Sequence, residues 1–181
     1  AAVERLGRAL RAARQDVATR HEVSLLGLSV IETLADGRPR RVGDLAAELD
    51  VSQPTVSDAV TVLDKRGLIR RDRDPADLRS TLVALTDDGD RLAAATATEL
   101  APLLAAGSGT DADRATTLRV LLGEIARLQA AGVITVNRSC LSCRHYQPPG
   151  PRTRARCLLL ATALADRDLR VDCPEHEPIP A

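Results

Sequence analysis

The sequence of 181 residues almost lacks aromatic side chains, because it has one tyrosine and no phenylalanine or tryptophan. It also has no methionine. Any core must therefore be built from leucine, valine, isoleucine and alanine, which favour packed helices over an aromatic-rich sandwich. Lysine is nearly absent as well, because Lys65 is the only one and arginine supplies the other positive charges. Cysteine is missing from residues 1–139, and all four cysteines lie between residues 140 and 173. The chain thus has two parts of different chemistry.

The charges balance, with 25 basic and 25 acidic residues and a formal net charge of zero. This excludes a simple polycation, but not a DNA-binding protein, for which the distribution of basic residues matters more than their sum. The sequence contains no apolar stretch of about 18 residues that would predict a transmembrane helix. Its N-terminal segment is amphipathic and does not resemble a signal peptide. The sequence therefore predicts a cytoplasmic protein with no membrane partner.

Residues 44–66, DLAAELDVSQPTVSDAVTVLDKR, have the pattern of a helix-turn-helix. Apolar residues recur at helical spacing in two segments, Ser52 is a predicted N-cap, and Gly67 is a natural end for the second helix. That second helix presents short polar side chains, which suit the base edges and phosphates of a major groove. The predicted DNA contacts on it are Ser52, Gln53, Thr55, Ser57 and Thr61.

Two short strands follow at 68–71 and 81–85, separated by the turn residues 74–77. Residues 65–79 hold six basic and three aspartate residues, a local positive excess in a neutral chain. A strand-turn-strand wing tipped with arginine can enter the minor groove, whose narrow A·T tracts attract guanidinium groups. Arg73 and Arg79 are the predicted wing contacts.

With these segments in place, residues 1–130 resemble the MarR family of winged-helix regulators. The resemblance lies in VSQPTVSDAVTVLDKRGLIRR and in the wing DPADLRSTLVALTDDG. It implies a homodimer with interlocking terminal helices, a pseudo-palindromic double-stranded operator, Arg79 at the wing tip and a pocket for a small-molecule effector. Two positions depart from the family pattern: Asp58 and Leu78 stand where many members have a basic residue.

The predicted fold is mainly α with a small β-wing: a winged helix-turn-helix, long dimerisation helices and a small four-cysteine metal-binding appendage. We assign residues 1–132 to a MarR-like domain, with a DNA-binding lobe at 24–86 and dimerisation helices at 1–20 and 87–130. Residues 133–181 form the four-cysteine extension. Its leucine-rich segment from Cys157 to Leu169 is expected to be a short helix that packs onto the dimerisation helices.

The four cysteines are spaced as C-x2-C-x13-C-x15-C. In the cytoplasm, such a cluster is more typical of a metal site than of structural disulfides. The pair in C-x2-C can converge on one centre, and two further thiolates complete a four-ligand site. The predicted ligands are Cys140, Cys143, Cys157 and Cys173, with His145 and His176 as less favoured substitutes.

The sequence leaves two metal centres open and favours the first slightly. Zinc suits four thiolates and would add folding energy to a segment too small for its own core. A [4Fe–4S] cluster also takes four thiolates, and the single cysteines at wide spacing suit it equally well.

Three classes of function follow. The favoured one is a homodimeric, sequence-specific DNA-binding transcriptional regulator whose cysteine-ligated centre senses redox or metal state. The alternative is a small-molecule-responsive MarR-type repressor with a purely structural zinc site, for which His21 and nearby arginines hint weakly at an anionic effector. The least favoured is a thiol or iron–sulfur redox protein. No enzyme is predicted, because nucleotide-binding glycine motifs and a Ser-His-Asp arrangement are absent.

Overall fold

The computed structural model describes residues 1–104 and 109–179. The chain divides into two compact units, Ala1–Ala105 and Ala106–Ala181. The last predicted dimerisation helix thus belongs to the same unit as the cysteines. The predicted division into domains at residue 132 stays a prediction. Residues 105–108 of the predicted 87–130 helical region lie outside the described residues.

Five helices and a three-stranded sheet make up the N-terminal unit. Its elements in chain order are α1 (Ala2–Arg20), α2 (Leu25–Leu34), β1 (Arg40–Arg41), α3 (Val42–Glu48), α4 (Gln53–Lys65), β2 (Ile69–Asp74), β3 (Asp77–Leu85) and α5 (Asp87–Leu104). The predicted helix-turn-helix is confirmed as α3 and α4, and the predicted mainly helical architecture with a small antiparallel sheet is also confirmed. The two wing strands are longer than predicted.

The core of this unit is aliphatic, as the lack of aromatic residues requires. Its largest fully buried side chains come from α1, α2, α3, α4 and β3: Val17, Leu28, Val30, Ile31, Leu34, Leu45, Val56, Val60, Leu63 and Val83. Burial of these groups supplies most of the free energy that holds α4 and the sheet in place.

Local signals in the sequence set the ends of α4. The Ser52 hydroxyl accepts a hydrogen bond from the Thr55 amide, and Pro54 lies in the first turn, where its missing N–H costs little. Gly67 follows the helix with φ of 70°, a conformation that is easy only for glycine. The predicted N-cap and terminating glycine are therefore confirmed, and they fix where the polar face of α4 begins.

The wing is an antiparallel hairpin of β2 and β3, with Asp74 opposite Asp77 at its tip. The short strand β1 pairs with the other edge of β3, giving the sheet order β1-β3-β2. The sequence did not predict β1, because a strand of two residues has no periodic pattern. It anchors the wing to the start of α3.

Gly89 in the first turn of α5 lies against the backbone of Leu68, the residue before β2. A Cβ built on Gly89 would be 2.0 Å from the carbonyl oxygen of Leu68, which also accepts a hydrogen bond from the Thr86 amide at 3.1 Å. Gly89→Ala is therefore expected to lower the free energy of unfolding by about 1–3 kcal/mol, because the backbone must shift.

Urea unfolding followed by circular dichroism measures this effect. Gly7→Ala is the matched control, since a Cβ at Gly7 of α1 meets nothing within 4 Å. This control is expected to raise stability by about 0.4–1 kcal/mol. Equal stabilities for the two variants would contradict the described approach of α5 to Leu68.

The C-terminal unit contains α6 and the cysteine segment. Its elements are α6 (Asp111–Ala130), a 3-10 turn (Cys140–Ser142), β4 (Tyr146–Gln147), β5 (Ala155–Cys157), β6 (Thr162–Leu164) and a second 3-10 turn (Asp166–Asp168). The strands form an antiparallel sheet in the order β4-β5-β6. Both 3-10 turns pack on α6, and Arg119 on α6 forms an ion pair with Asp166 at 3.0 Å.

The prediction of a short helix between Cys157 and Leu169 was wrong. Residues 158–161 form the turn of a hairpin between β5 and β6, and Leu158, Leu159 and Leu160 are each about half exposed. Consecutive leucines resemble a helix in sequence, but a turn residue, Ala161 with φ of 50°, reverses the chain here. The contact with α6 is made instead by the two 3-10 turns.

None of the helices among the described residues has an apolar stretch long enough to cross a membrane.

Candidate DNA-binding surface and cysteine cavity

The N-terminal turn of α4 exposes its polar side chains. Ser52, Gln53 and Thr55 are exposed, and the hydroxyls of Ser52 and Thr55 lie 2.7 Å apart. On the opposite side of the helix, Val56 and Val60 are buried in the core. The helix thus holds its polar groups outward on a rigid support, as a recognition helix requires.

Further along α4, the residues predicted to contact DNA are less exposed and have hydrogen-bond partners within the protein. Ser57 and Thr61 are half-buried, and the Thr61 hydroxyl donates to the Ser57 carbonyl oxygen at 2.8 Å. Arg71 of β2 donates to the same Thr61 hydroxyl at 2.9 Å and forms an ion pair with Asp64 at 3.0 Å. Arg71 therefore ties the wing to α4. Arg70 forms an exposed ion pair with Asp72, with Nε and Oδ2 3.1 Å apart.

Three cations of this region stay unpaired. Lys65, Arg73 and Arg79 are exposed and form no ion pair with the residues that the structure describes. Arg66, by contrast, donates to the carbonyl oxygens of His21 and Glu22 and so supports the loop after α1. The free positive charges lie at the end of α4 and on both strands of the wing.

The wing tip is fastened by an ion pair that the sequence did not reveal. Asp74 is only 6% exposed, and its carboxylate accepts from Arg41 Nε at 2.8 Å and from the Ala76 amide at 2.8 Å. The Ala76 N–H and the Arg41 guanidinium hold the pKa of Asp74 below its usual range. The partners lie 33 residues apart, so neither spacing nor motif could have paired them before the position of β1 was known.

This pairing predicts a pH dependence of stability. The pKa of Asp74 is lowered in the folded protein, so its stabilising contribution is present above the unfolded pKa of about 4 and is lost as pH falls through the folded value. Asp74→Asn is expected to lower the melting temperature at pH 7, and the difference from the parent protein is expected to shrink below about pH 4. A constant difference across that range of pH would contradict the role given to the Asp74 charge.

A second feature of the N-terminal unit is a cavity of about 550 Å³. It is lined by residues of α1, α2 and the turn after α3: Gly7, Leu10, Arg11, Arg14, Leu25, Leu26, Ser29, Leu49 and Val51. Arg14 contacts Glu32 and donates to the Ser29 hydroxyl at 3.1 Å. His21 is not part of this cavity: it lies 2.7 Å from Glu99, which also pairs with Arg20. The predicted anion-binding hint at His21 stays a prediction, and the carboxylate of Glu99 already faces that ring.

In the C-terminal unit, all four cysteines line one small cavity of about 30 Å³. Its remaining walls are mostly apolar: His145, Tyr146, Leu159, Leu160, Leu164 and Glu175. All four cysteines are free thiols, and none is fully exposed. The four cysteines, which come from separate segments of the chain, thus line the same cavity, and the prediction that they bind one metal centre stays a prediction.

Backbone hydrogen bonds hold these segments in position. The amide of Cys140 donates to Arg170 O at 3.0 Å, and the amide of Arg170 donates back to Cys140 Sγ at 3.2 Å. Cys173 is fixed by its amide bond to Arg138 O at 3.0 Å. Cys157 ends β5 and pairs with Tyr146 of β4. Each sulfur is thus carried by a backbone with a defined partner.

In the part of the chain that the structure describes, the thiols are not arranged as ligands of a single ion. Across residues 1–104 and 109–179, no three cysteine, histidine, aspartate or glutamate side chains are placed as a group that could hold a metal ion. Burial raises the pKa of Cys140, and negative charge on the other cysteines raises it further.

The two histidines of the C-terminal unit, His145 and His176, lie in different surroundings. His145 lines the cavity, and its Nε2 lies 3.1 Å from Glu177; the nearness of this ring lowers the pKa of the Glu177 carboxyl. His176 lies 3.0 Å from the Ser142 hydroxyl.

The order of elements, the helix pair α3–α4 and the β2–β3 hairpin define the N-terminal unit as a winged helix-turn-helix. Residues 23–80 match the model of the MarR family. That match covers the helix-turn-helix and most of the wing, which are the segments that carry the sequence resemblance.

Solved structures show the same fold. A MarR family transcriptional regulator from Listeria monocytogenes, complexed with 26mer DNA, is 18% identical, with a TM-score of 0.62 over 72% of this chain and 87% of that one. CouR from Rhodococcus jostii RHA1, bound to p-coumaroyl-CoA, is 23% identical, with a TM-score of 0.55 over 68% and 88%. MarR from E. coli, in its apo form, is 17% identical, with a TM-score of 0.54 over 68% and 92%. No curated protein matches the sequence.

Proposed function

We propose that this protein is a sequence-specific DNA-binding transcriptional regulator that acts in the cytoplasm as a homodimer on a pseudo-palindromic operator. The observation that carries the proposal is the exposed polar turn of α4 beside an arginine-bearing wing. Gln53 and Thr55 would contact base edges in the major groove, and Ser52 and Ser57 would contact phosphates. Thr61 would act mainly by holding Arg71.

The wing supplies the second part of the interface. Arg79 would enter the minor groove beside the recognition helix, and Arg73 would contact the phosphate backbone. Ion pairing by Asp74 keeps the hairpin tip in one conformation, which lowers the entropy that ordering on DNA would cost. The similarity to the Listeria protein complexed with DNA supports the same use of the fold here.

Exposed apolar residues support a homodimer. Val3 and Leu6 of α1 are 80% and 59% exposed, and Val120 and Leu121 of α6 are each 52% exposed. Exposed apolar side chains that adjoin one another, as Val3 and Leu6 do one turn apart on α1, are typical of a surface that a partner covers. A second copy of the chain is the partner that the two half-sites of a pseudo-palindrome require.

The four cysteines would hold one metal centre, and the centre would sense redox or metal state. This proposal is supported by the cavity beside α6 that is lined by all four cysteines, Cys140, Cys143, Cys157 and Cys173. A regulatory centre must have different interaction energies with the DNA-binding and non-binding states.

Removal of the metal tests this regulatory role. Chelation, or Cys157→Ser, is expected to change operator affinity by a factor of about 5–150, the usual size of a coupling between two sites. Fluorescence anisotropy of labelled operator at fixed salt measures the change. Unchanged affinity together with a lower melting temperature would show a purely structural centre.

The second candidate function is a small-molecule-responsive repressor with a structural zinc site. The cavity of about 550 Å³ favours it, because this volume suits a small organic ligand and the Arg11 guanidinium in its wall suits an anionic one. CouR was solved with a coenzyme A thioester bound. Binding of an anionic aromatic acid that weakens operator affinity, and that Arg11→Ala abolishes, would support this candidate.

Selection from a random double-stranded library tests the primary proposal. The full chain is expected to enrich one motif made of two inverted half-sites about one helical turn apart. Enrichment of no motif after repeated rounds would contradict sequence-specific binding.

A further inference from the structure

We propose that the hairpin of β4 and β5 in the C-terminal unit is a second DNA-contacting element, which binds phosphates through Arg152 and Arg154. This hairpin comprises residues 146–157 and is called the arginine hairpin. The inference rests on the proposed function, because it gives a segment outside the winged helix a part in the same DNA complex. Its two arginines belong neither to the winged helix nor to the lining of the cysteine cavity.

The arginine hairpin lies in a stretch that carries only positive charges. Residues 125–165 contain six arginines and no aspartate or glutamate, although the whole chain is neutral. Three of the six pair with carboxylates outside this stretch: Arg127 with Glu124, Arg138 with Asp172 and Arg144 with Glu177. The other three, Arg152, Arg154 and Arg156, are exposed and form no ion pair with the described residues. Their charges are therefore available to an anionic partner.

Short-range hydrogen bonds hold the tip of the arginine hairpin. The Gly150 amide donates to the Thr153 carbonyl oxygen at 3.1 Å, and the Thr153 amide donates to the Gly150 carbonyl oxygen at 3.3 Å. Pro151 and Arg152 form the turn between them. Because proline fixes its own φ, the tip has little conformational freedom to lose when Arg152 binds a ligand.

Arg154 and Arg156 share the exposed face of the hairpin. Successive residues of a strand point to opposite faces, and Ala155 is buried whereas the arginines on both sides of it are exposed. Cys157, two residues after Ala155, lines the cysteine cavity. The Arg156 guanidinium donates to the Ala161 carbonyl oxygen at 3.3 Å, so that it also supports the next turn. One face of β5 thus carries positive charge, and the other carries a cysteine.

A groove of about 430 Å³ beside the hairpin brings a further cation near Arg154. Arg154, Asp166 and Arg167 are among the residues that line it. The Arg167 side chain is 75% exposed, with its Nε 3.9 Å from Asp168. Asp166 already pairs with Arg119 at 3.0 Å. A phosphate in this groove would therefore meet two guanidinium groups and a carboxylate whose charge is balanced.

The composition of the hairpin favours duplex phosphates over other anionic partners. Residues 147–156 include no aromatic and no large aliphatic side chain. A stable protein interface has an apolar core, and single-stranded nucleic acid needs aromatic rings on which its bases stack. Phosphate contacts need only charge and hydrogen-bond donors, and a guanidinium group can give a phosphate two parallel N–H bonds.

The test compares Arg152→Ala/Arg154→Ala with the parent protein in anisotropy titrations of two duplexes, the selected operator and a scrambled duplex of equal length. Phosphate contacts carry no sequence information, so the affinity for both duplexes is expected to fall by a similar factor, on the order of tenfold at about 0.15 M salt. The slope of log affinity against log salt is expected to decrease by about two. Arg152→Lys/Arg154→Lys keeps both charges and is expected to restore most of the affinity.

Arg114→Ala/Arg127→Ala is the matched control. Both arginines are exposed residues of α6 in the same unit, and each pairs with a carboxylate one turn away. This variant also removes two positive charges and is expected to leave affinity and salt slope unchanged. Circular dichroism establishes that every variant is folded. Equal losses of affinity in the two double variants would overturn the proposal, because net charge alone would then explain them.

The two duplexes separate this inference from the proposed function. A parent protein that binds both duplexes equally, with weaker binding in Arg152→Ala/Arg154→Ala, would refute only the sequence-specific regulator. A parent protein that prefers its operator, with the same affinities and salt slope in this double variant, would refute only the arginine hairpin. If the double variant kept its DNA affinity but lost binding to poly-glutamate, the hairpin would be a site for an acidic protein and the proposal would be overturned.

Discussion

Replacing Gln53 and Thr55 together with alanine is expected to weaken operator binding by about 2–6 kcal/mol, which is about 30-fold or more. Each good contact to a base edge contributes about 1–3 kcal/mol, and both side chains project from the first turn of α4. The loss is expected mainly for the operator and much less for unrelated DNA, because base contacts carry sequence information and phosphate contacts do not.

The chain offers a matched control for this variant. Gln15 and Thr19 of α1 are an exposed pair of the same two residue types, with Gln15 Nε2 3.3 Å from the Thr19 hydroxyl. Their double replacement with alanine is expected to leave operator affinity unchanged. Anisotropy titrations at one salt concentration compare the three proteins. Equal affinities for all three would remove α4 from the interface.

Arg79→Ala is expected to show a different signature. This arginine has no ion-pair partner among the described residues, so its charge is available to DNA at no cost in broken contacts. Its removal is expected to cost about 1–3 kcal/mol and to reduce the slope of log affinity against log salt by about one. The effect is expected to be largest where the operator flanks are A·T-rich, because a narrow minor groove attracts arginine.

Arg91→Ala is the control for charge alone. Arg91 is an exposed arginine of α5 that contacts Asp88, outside the proposed interface. This variant also removes one positive charge, and is expected to leave the salt slope unchanged. If Arg79→Ala and Arg91→Ala changed affinity and slope equally, the wing would have no specific role.

The helix-turn-helix and wing were predictable from sequence because their signals are local. Ser52, Pro54 and Gly67 fix the ends of α4 through backbone chemistry that needs no tertiary information. The alternation of apolar and polar residues that indicates a strand is missing from β2, which reads Ile-Arg-Arg-Asp-Arg-Asp and buries only its two end residues. Its strands were therefore predicted too short.

Features that depend on distant residues were not predictable. The Arg41–Asp74 pair needs β1, and β1 exists only because β3 offers it an edge. The hairpin at 158–161 was mistaken for a helix because its leucines look like a buried face, whereas three of them are about half exposed in a turn. The four cysteines could be grouped by composition, but their placement in the fold depends on backbone hydrogen bonds between separate segments.

The most direct test of the central claim is the ratio of affinities for the selected operator and for a scrambled duplex of equal length and composition. The ratio is measured with the full chain at one physiological salt concentration, because affinities for DNA have no meaning without it. A sequence-specific regulator is expected to give a ratio of about 10³ or more. A ratio near one would contradict the account, whatever the absolute affinity.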